Sequence, residues 1–446
     1  MQRRMFETGR VCIGFAVLLV LSVCGTAAYS RQRDSVMSEE YWKMWSPQVQ
    51  ERIDRDIETH RKADAVVTVG RLRRGTKVRV EQVSHDFLFG GNTFLFDDLG
   101  SETNNAVYRN TFGTLFNAAT VAFYWKYLEP EQGKCRFEAG SSYIYRRPPP
   151  DPVVGFLNSR NININGHAII YGLRQHGHPT WMPEDRKEME RLFARHVRQL
   201  ADRYGDRVQR WDVVNECFDQ ANRGMMPDDY VYKTFRWAMD SFPAGVQFNT
   251  NECDVHWGPT RRYVEIVRDL TDRGIRIDNV GVQSHIFDPV EARDIAAGND
   301  RYINPQRLYE TLDCLSETGK PIHISEVTVC APDSTRWGEQ VQAVIARNLY
   351  RLYFSHPSVM GITWWNLVDG GGYPGEPSYS GLYRRDMTPK PAYDVLKDLI
   401  DRQWTTTLLL TPDAEGRIRF RGFKGKYRIS WTDRHGKDHE ESLELH

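Results

Sequence analysis

The chain has 446 residues, more than one average domain, and its 40% hydrophobic and 12% aromatic content suffices for a large buried core. Lys plus Arg and Asp plus Glu each total 59, so the formal net charge is zero. With no basic excess to form an electrostatic footprint, the composition argues against a nucleic-acid partner.

Residues 1–28 read as an export signal. Arg3, Arg4 and Arg10 precede an apolar run from Val11 to Val23, and Thr26-Ala27-Ala28 offers small residues for cleavage. The run is short for a membrane span, so the mature protein is expected to be secreted or periplasmic without stable membrane insertion, an uncleaved anchor being the alternative. Val23 before Cys24 argues against a lipidated cysteine. Cleavage leaves Cys135, Cys217, Cys253, Cys314 and Cys330, an odd set with no short CxxC spacing. Free thiols are therefore expected, rather than a zinc or redox motif.

Residues 29–64 are charged and partly helical, with Pro47 to Lys62 as the predicted helix. Within 65–85, Ala65 to Val69 and Lys77 to Val83 flank an Arg/Gly turn and predict an accessory β hairpin. From 86 to 404 strand-like and helix-like segments alternate. The strand candidates are Phe87 to Gly90, Ala118 to Trp125, Ile162 to Ile170, Arg210 to Asn215, Val246 to Asn251, Val280 to Ile286, Ile322 to Val329 and Met360 to Leu367. Helical patterns fall at Lys187 to Tyr204, Tyr230 to Phe242, Arg262 to Arg273, Gln306 to Thr318 and Gly338 to Phe354. The run Pro148-Pro149-Pro150 and the pair Asp151-Pro152 mark a rigid loop into the second barrel helix. Eight such units predict an α/β fold, a (β/α)8 TIM barrel. A doubly wound sheet is the alternative, but no Gly-rich phosphate loop follows a strand. Residues 405–446 form a C-terminal β module with strands at Thr405 to Leu410, Ile418 to Phe420, Tyr427 to Trp431 and Ser442 to Leu445. A lone hairpin and a lone short sheet each leave an apolar face wet. The two are expected to pack as one small accessory β domain formed from N- and C-terminal segments.

The chemistry is signalled by two glutamates. Glu216 closes Trp211-Asp212-Val213-Val214-Asn215-Glu216, and Glu326 lies in Pro321-Ile322-His323-Ile324-Ser325-Glu326. A short apolar run ending in a carboxylate fits a buried parallel strand delivering an acid to the C-terminal mouth of a barrel. Two such strands can aim a pair of carboxylates at one bond, as glycoside hydrolysis requires. The same edge receives His167, Asn215, Asn251, Glu252, Gln283, His285, Trp364, Trp365 and Asp369.

These residues resemble family 10 glycoside hydrolases, mainly endo-β-1,4-xylanases. Trp211 to Glu216 is similar to the family's WDVVNE signature. In the family's order follow Gly166-His167 with Pro179-Thr180-Trp181, Asn251-Glu252, Gln283-Ser284-His285, Ile322 to Glu326, Trp365 through Asp369-Gly370, and Pro389-Lys390-Pro391-Ala392-Tyr393. The resemblance covers residues 86 to 402 and implies a retaining double displacement on a β-1,4-xylan, or behind it a different or decorated β-glycan, without cofactor or metal. By position it implies that Glu216 is the acid/base and Glu326 the nucleophile, with carboxyl groups about 5–5.5 Å apart. It further implies substrate contacts from Asn215, His167, Gln283, His285, Trp365 and Tyr124. Of these, Asn215 would bond the sugar 2-OH and His285 would help to ionise Glu326. Asn251 and Glu252 are implied as supporting residues behind them. The expected partner is a polysaccharide or oligosaccharide substrate, and the expected state is a monomer.

The sequence departs from the family at the second strand. A Glu-Asn pair and a lysine are usual there, but Thr120 to Lys126 carries Tyr124 in the lysine's place. Tyr171 and Gly172 stand where a tryptophan and a second histidine are usual, and Asn366 replaces a glycine. The catalytic pair is thus intact while the distal sugar contacts are remodelled. A non-catalytic carbohydrate-binding barrel is the competing reading. A metal-dependent hydrolase built on His176 and His178 is a third, lacking any HExxH helix or third ligand.

Overall fold

In a computed structural model of the protein, the residues described are 35–70, 72, 75–218, 225–253, 255–256 and 258–446. The expected export signal lies outside them. Among the described residues no helix is long and apolar enough to cross a membrane.

Among the described residues fourteen strands follow one another: β1 Lys62–Thr68, β2 Val78–His85, β3 Leu88–Asn92, β4 Ala118–Ala122, β5 Asn163–Tyr171, β6 Arg210–Asn215, β7 Gln247–Glu252, β8 Asn279–Ile286, β9 Ile322–Val329, β10 Val359–Trp364, β11 Thr407–Leu410, β12 Arg417–Phe423, β13 Gly425–Thr432 and β14 Asp438–Leu445. Strands β3 to β10 close into a parallel barrel, each hydrogen-bonded to its sequence neighbour and β10 back to β3. Strands such as β4, β6 and β9 are buried at every position, because helices cover one face and the barrel interior the other. The long helices Arg186–Tyr204 and Arg336–Ser355 start at caps whose side chains accept from the first turn, Asp185 from Glu188 N and Thr335 from Gly338 N. All eight strands expected from the sequence are present, with ends shifted by a few residues.

The barrel interior is polar in layers. Lowest, Arg210 donates to Asn163 Oδ1 at 2.8 Å, and His323 Nε2 meets Thr363 Oγ1 at 2.9 Å. Above them Asp212 accepts from Asn165 at 2.8 Å and Asn249 at 3.2 Å. A register shift between Asp212 and Val214 then sets three residues of β6 against two of β7. The extra residue resets the in/out alternation, so Asn215 rather than Val214 turns inward to meet Asn251. A similar shift between β8 and β9 pairs Gln283 with Glu326.

The flanking β segments differ from the expected hairpin. β1 and β2 do not pair with each other: β1 runs antiparallel to β12, and β2 is central between β11 and β13 in a sheet ordered β11-β2-β13-β14. Both edges of β2 are occupied, which leaves β1 no place beside it. Ala65, Val78, Val80, Ile418, Phe420, Tyr427, Ile429 and Trp431 form a separate apolar core between the two sheets. Strands from both ends of the chain therefore build one accessory domain. It meets the barrel through Phe423, which belongs to an aromatic cluster with Phe354, His85 and, through Phe354, Trp404. That cluster plugs the N-terminal end of the barrel, opposite the strand ends that carry Glu216 and Glu326.

Candidate active site

A cleft of about 220 Å³ opens at the C-terminal ends of the strands, lined by Tyr124, His167, Glu216, Gln283, His285, Glu326 and Trp365 among others. A larger hollow of about 430 Å³ lies at the opposite end, among Arg61, Phe87, Pro321 and Lys424. It holds no pair of carboxylates, and Arg61 there is taken up by the carbonyls of Phe354, His356 and Val359. Glu216 and Glu326 lie together in the smaller cleft, which is therefore the candidate site.

Glu326 is buried and held on several sides. Asn251 Nδ2 donates to its Oε1 at 2.9 Å, His285 Nε2 lies 3.3 Å from its Oε2, and His167 Nε2 lies 4.0 Å from Oε1. Burial pushes its carboxyl up to about 8; the His167 charge and the Asn251 hydrogen bond oppose that, while the charge of Glu216 adds to it. His167 bonds Asp212 through Nδ1 at 2.8 Å. Burial alone would lower its pKa, but the Asp212 hydrogen bond and the charge of Glu326 raise it on balance. The charged forms of His167 and Glu326 thus favour each other across the floor of the cleft.

Glu216 follows β6 with a left-handed backbone, φ 56°, unusual for a side chain with a Cβ. Its N–H is fixed by Asn251 O at 2.8 Å. The side chain is fixed by two donors on one oxygen: Tyr171 OH at 2.8 Å and Gln283 Nε2 at 2.9 Å, both to Oε1. Gly172 explains how this turn is tolerated. A Cβ there would stand 2.0 Å from the Glu216 carbonyl oxygen, so only glycine allows the two loops to touch.

The remaining predicted residues divide by position. Asn251 is the hub, donating to Asn215 Oδ1 at 2.8 Å as well as to Glu326, and accepting from Ser325 Oγ at 2.5 Å. Asn215 keeps a buried Nδ2 with no acceptor among the described residues. Glu252 points away from the cleft and accepts from Cys217 N at 2.6 Å; burial pushes it up to about 8. Trp365 packs edge-on to Phe94 and His167, with ring centroids 5.1 and 5.5 Å away. Tyr124 lines the cleft between His167 and Tyr171. Trp364 and Asp369 face inward on the structure instead: Trp364 Nε1 donates to Asn366 O at 2.8 Å, and Asp369 pairs with the buried Lys390 at 3.0 Å. No disulfide joins the five cysteines of the described residues.

His176 and His178 part company. His176 lines the cleft, whereas His178 is buried against Phe193 and desolvation pulls it down to about 3. Among the described residues no three ligating side chains gather as a metal site requires.

Several lining residues were not singled out in the sequence: Phe94, Tyr127, Arg146, Arg147, Tyr373 and Glu376. Tyr171 was visible only as a departure from the family, and its bond to Glu216 needed the fold. The arginines left one signal, their place directly before three prolines.

The family model of glycosyl hydrolase family 10 matches residues 83–399. An endo-1,4-beta-xylanase B of Thermotoga neapolitana is 23% identical over 297 residues, covering 63% of this chain and 78% of that one. An endo-1,4-beta-xylanase B of Cellvibrio japonicus is 27% identical over 60% of this chain and 41% of that one. An anti-sigma-I factor of Acetivibrio thermocellus is 26% identical over 69% and 36%. The chain therefore spans well under half the length of the latter two relatives. Xylanase 10B from Thermotoga maritima shares the fold, with a TM-score of 0.57 at 19% identity over 71% of this chain and 96% of that one. The structure of xylanase 10B from Thermotoga petrophila in complex with xylobiose is equally similar, with a TM-score of 0.57 at 20% identity over 71% and 95%. With a model match across most of its length and the barrel to go with it, the chain belongs to glycosyl hydrolase family 10, among glycoside hydrolases of the endo-1,4-β-xylanase type.

Proposed function

We propose that the protein is a retaining endo-β-1,4-glycanase acting on a xylan chain, with Glu326 as nucleophile and Glu216 as acid/base. The observation that supports this reading is the pair of carboxylates in one cleft, each accepting at Oε1 from an amide two strands away in the barrel. Both donors to Glu216 fall on Oε1, which leaves Oε2 as the oxygen to carry a proton to the departing glycosidic oxygen. Glu326, ionised, attacks the anomeric carbon as the leaving sugar takes that proton, forming a covalent glycosyl-enzyme. Glu216, now a carboxylate, then removes a proton from water, which displaces Glu326 and restores both groups. Asn251 holds Glu326 and Asn215 in one hydrogen-bonded unit, and the unpaired Nδ2 of Asn215 suits the sugar 2-OH. The xylan assignment draws on the relatives named as xylanases.

Replacing Glu326 or Glu216 by alanine is expected to cut turnover by several orders of magnitude with the fold retained. Azide added to Glu326→Ala should restore product as a glycosyl azide of inverted anomeric configuration. Wild-type turnover no higher than that of the alanine variants, across xylan, mixed-linkage glucan, mannan and cellulose oligomers, would instead favour a carbohydrate-binding barrel. That second reading has one relative whose name is regulatory rather than enzymatic.

A further inference from the structure

Beside the catalytic carboxylates the cleft holds a cation with no counter-ion. Arg146 and Arg147 come from the loop ahead of the helix Pro150–Ser159. Arg146 has a left-handed backbone, φ 60°, and the prolines that follow Arg147 restrict the chain further. The two guanidiniums therefore stand on a stiff support. Arg146 is held by an anion: its Nη1 donates to Asn366 Oδ1 at 2.9 Å and to the Gly371 carbonyl, and its Nη2 lies 3.9 Å from Glu376, although its Nε finds no acceptor among the described residues.

Arg147 is not. Its Nη1 donates to the Arg146 carbonyl at 2.9 Å, its Nε finds no acceptor, and no carboxylate pairs with it among the described residues. It is only 8% exposed, yet it lines the cleft. Three rings surround the guanidinium, Tyr124 at 4.1 Å, Tyr127 at 5.0 Å and Phe94 at 5.2 Å. Ring faces offset only part of what a cation loses on leaving water, so the charge is held ready for an anion. A single planar fork suits a carboxylate, which it can grip through two parallel hydrogen bonds. The cleft already contains Glu216, Glu326 and Glu376, and these disfavour a more highly charged group such as a phosphate. Tyr124, which Arg147 covers, lies with its ring 5.2 Å from that of His167, so the guanidinium sits next to the place of the reacting sugar.

We propose that the cleft selects β-glycans bearing a carboxylate, of the uronic acid type, on a sugar or branch beside the cleaved bond, and that Arg147 binds it. The proposal rests on the glycan-hydrolase reading above and names its substrate class.

The test uses matched β-1,4-xylo-oligosaccharides: one set with a glucuronic acid branch on each backbone unit in turn, the same set with the carboxyl reduced to the primary alcohol, and the unbranched chain. Shape is kept within each pair and only the charge changes. For the favoured branch position, kcat/KM on the acid form should exceed that on the reduced form by about 10- to 100-fold, the range of a charge-assisted hydrogen bond. Arg147→Met should abolish this ratio, and Arg147→Lys should retain part of it. Equal or slower cleavage of every acid form, with the unbranched chain cut, overturns the proposal and leaves the hydrolase reading standing. A ratio that survives in Arg147→Met overturns the assignment to Arg147. Cleavage of none of the three overturns the hydrolase reading and this inference with it. The wild-type comparison needs no variant, so a misfolded Arg147→Met leaves the test decisive.

Discussion

Tyr171 donates its hydroxyl to Oε1 of Glu216 at 2.8 Å, from the strand neighbouring the one that ends at Glu216. A tryptophan, usual in the family at this position, has no hydroxyl to offer. The chain therefore positions its candidate acid with a group of its own, alongside Gln283 on the other side.

Tyr171→Phe should expose that role through the leaving group. Removing one of two donors loosens the carboxyl without taking it away, and slower xylo-oligosaccharide hydrolysis by about 10-fold is expected. Aryl glycosides with good leaving groups need no proton at departure, so their glycosylation step should slow far less. Steady-state rates over a series of aryl leaving groups make the comparison. An equal loss across the series would assign Tyr171 a structural role only.

Much of this architecture was legible in the sequence, for reasons that can be named. Strands such as Arg210–Asn215 are buried on both faces, so they read as continuous apolar runs punctuated by functional polar residues. The helices carry their apolar stripe in a 3.6-residue period. Pairing partners are a different matter. Alternating valines in β2 announce a strand, but nothing local distinguishes a hairpin with β1 from a central place between β11 and β13, more than 300 residues away. The cleft wall was hidden for a related reason. Arg147 reaches it from a loop, and its cage of Tyr124, Tyr127 and Phe94 is assembled from segments with no shared pattern. Asn366 was noticed as an odd residue, yet its partners, Arg146 and Glu376, show why it is there.

The acid limb of the pH profile should lie high for a carboxylate. As the proposed nucleophile Glu326 has to be ionised to attack, and burial pushes it up to about 8, with Glu216 adding to the rise. Activity should therefore fall as pH drops through that region, and neutralising Glu216 should move the fall to lower pH. With an activated aryl glycoside, kcat/KM against pH for Glu216→Gln is expected to show its acid limb displaced downward by about 0.5 to 1 unit, a typical coupling between neighbouring carboxylates. A limb that stays in place, or moves upward, would contradict the electrostatic coupling of the two groups.

Glu252 bears on stability rather than on turnover. Its carboxyl is buried outside the cleft and raised to about 8. A carboxyl raised on folding keeps its proton in the native state when the unfolded chain has already lost it. The native protein then binds more protons between about pH 4.5 and 8, and stability falls as pH rises through that window. Glu252→Gln removes the titration and can still accept from Cys217 N. The unfolding free energy of the wild type should decline from pH 5 to pH 8 by about 1 to 4 kcal/mol more than that of the variant, seen as a steeper fall in Tm. Parallel Tm curves would show that Glu252 titrates alike in both states.

The accessory domain makes a prediction about folding units. Residues 405–446 contribute β11, β12, β13 and β14, but the sheet they enter is ordered β11-β2-β13-β14. Without β2 the fragment loses the strand that joins β11 to β13, and with it Val78 and Val80 from the centre of the apolar core. Without β1, strand β12 has no partner at all. Two-stranded remnants of this size are marginal in water. The isolated fragment should give a narrow, undispersed amide NMR spectrum, and adding a peptide spanning residues 62–85 should disperse it. A dispersed spectrum from residues 405–446 alone would mean that the module folds without the N-terminal strands. Folding only with the peptide would instead make the segments on either side of the barrel one folding unit, as the pairing of β2 with β11 and β13 and of β1 with β12 requires.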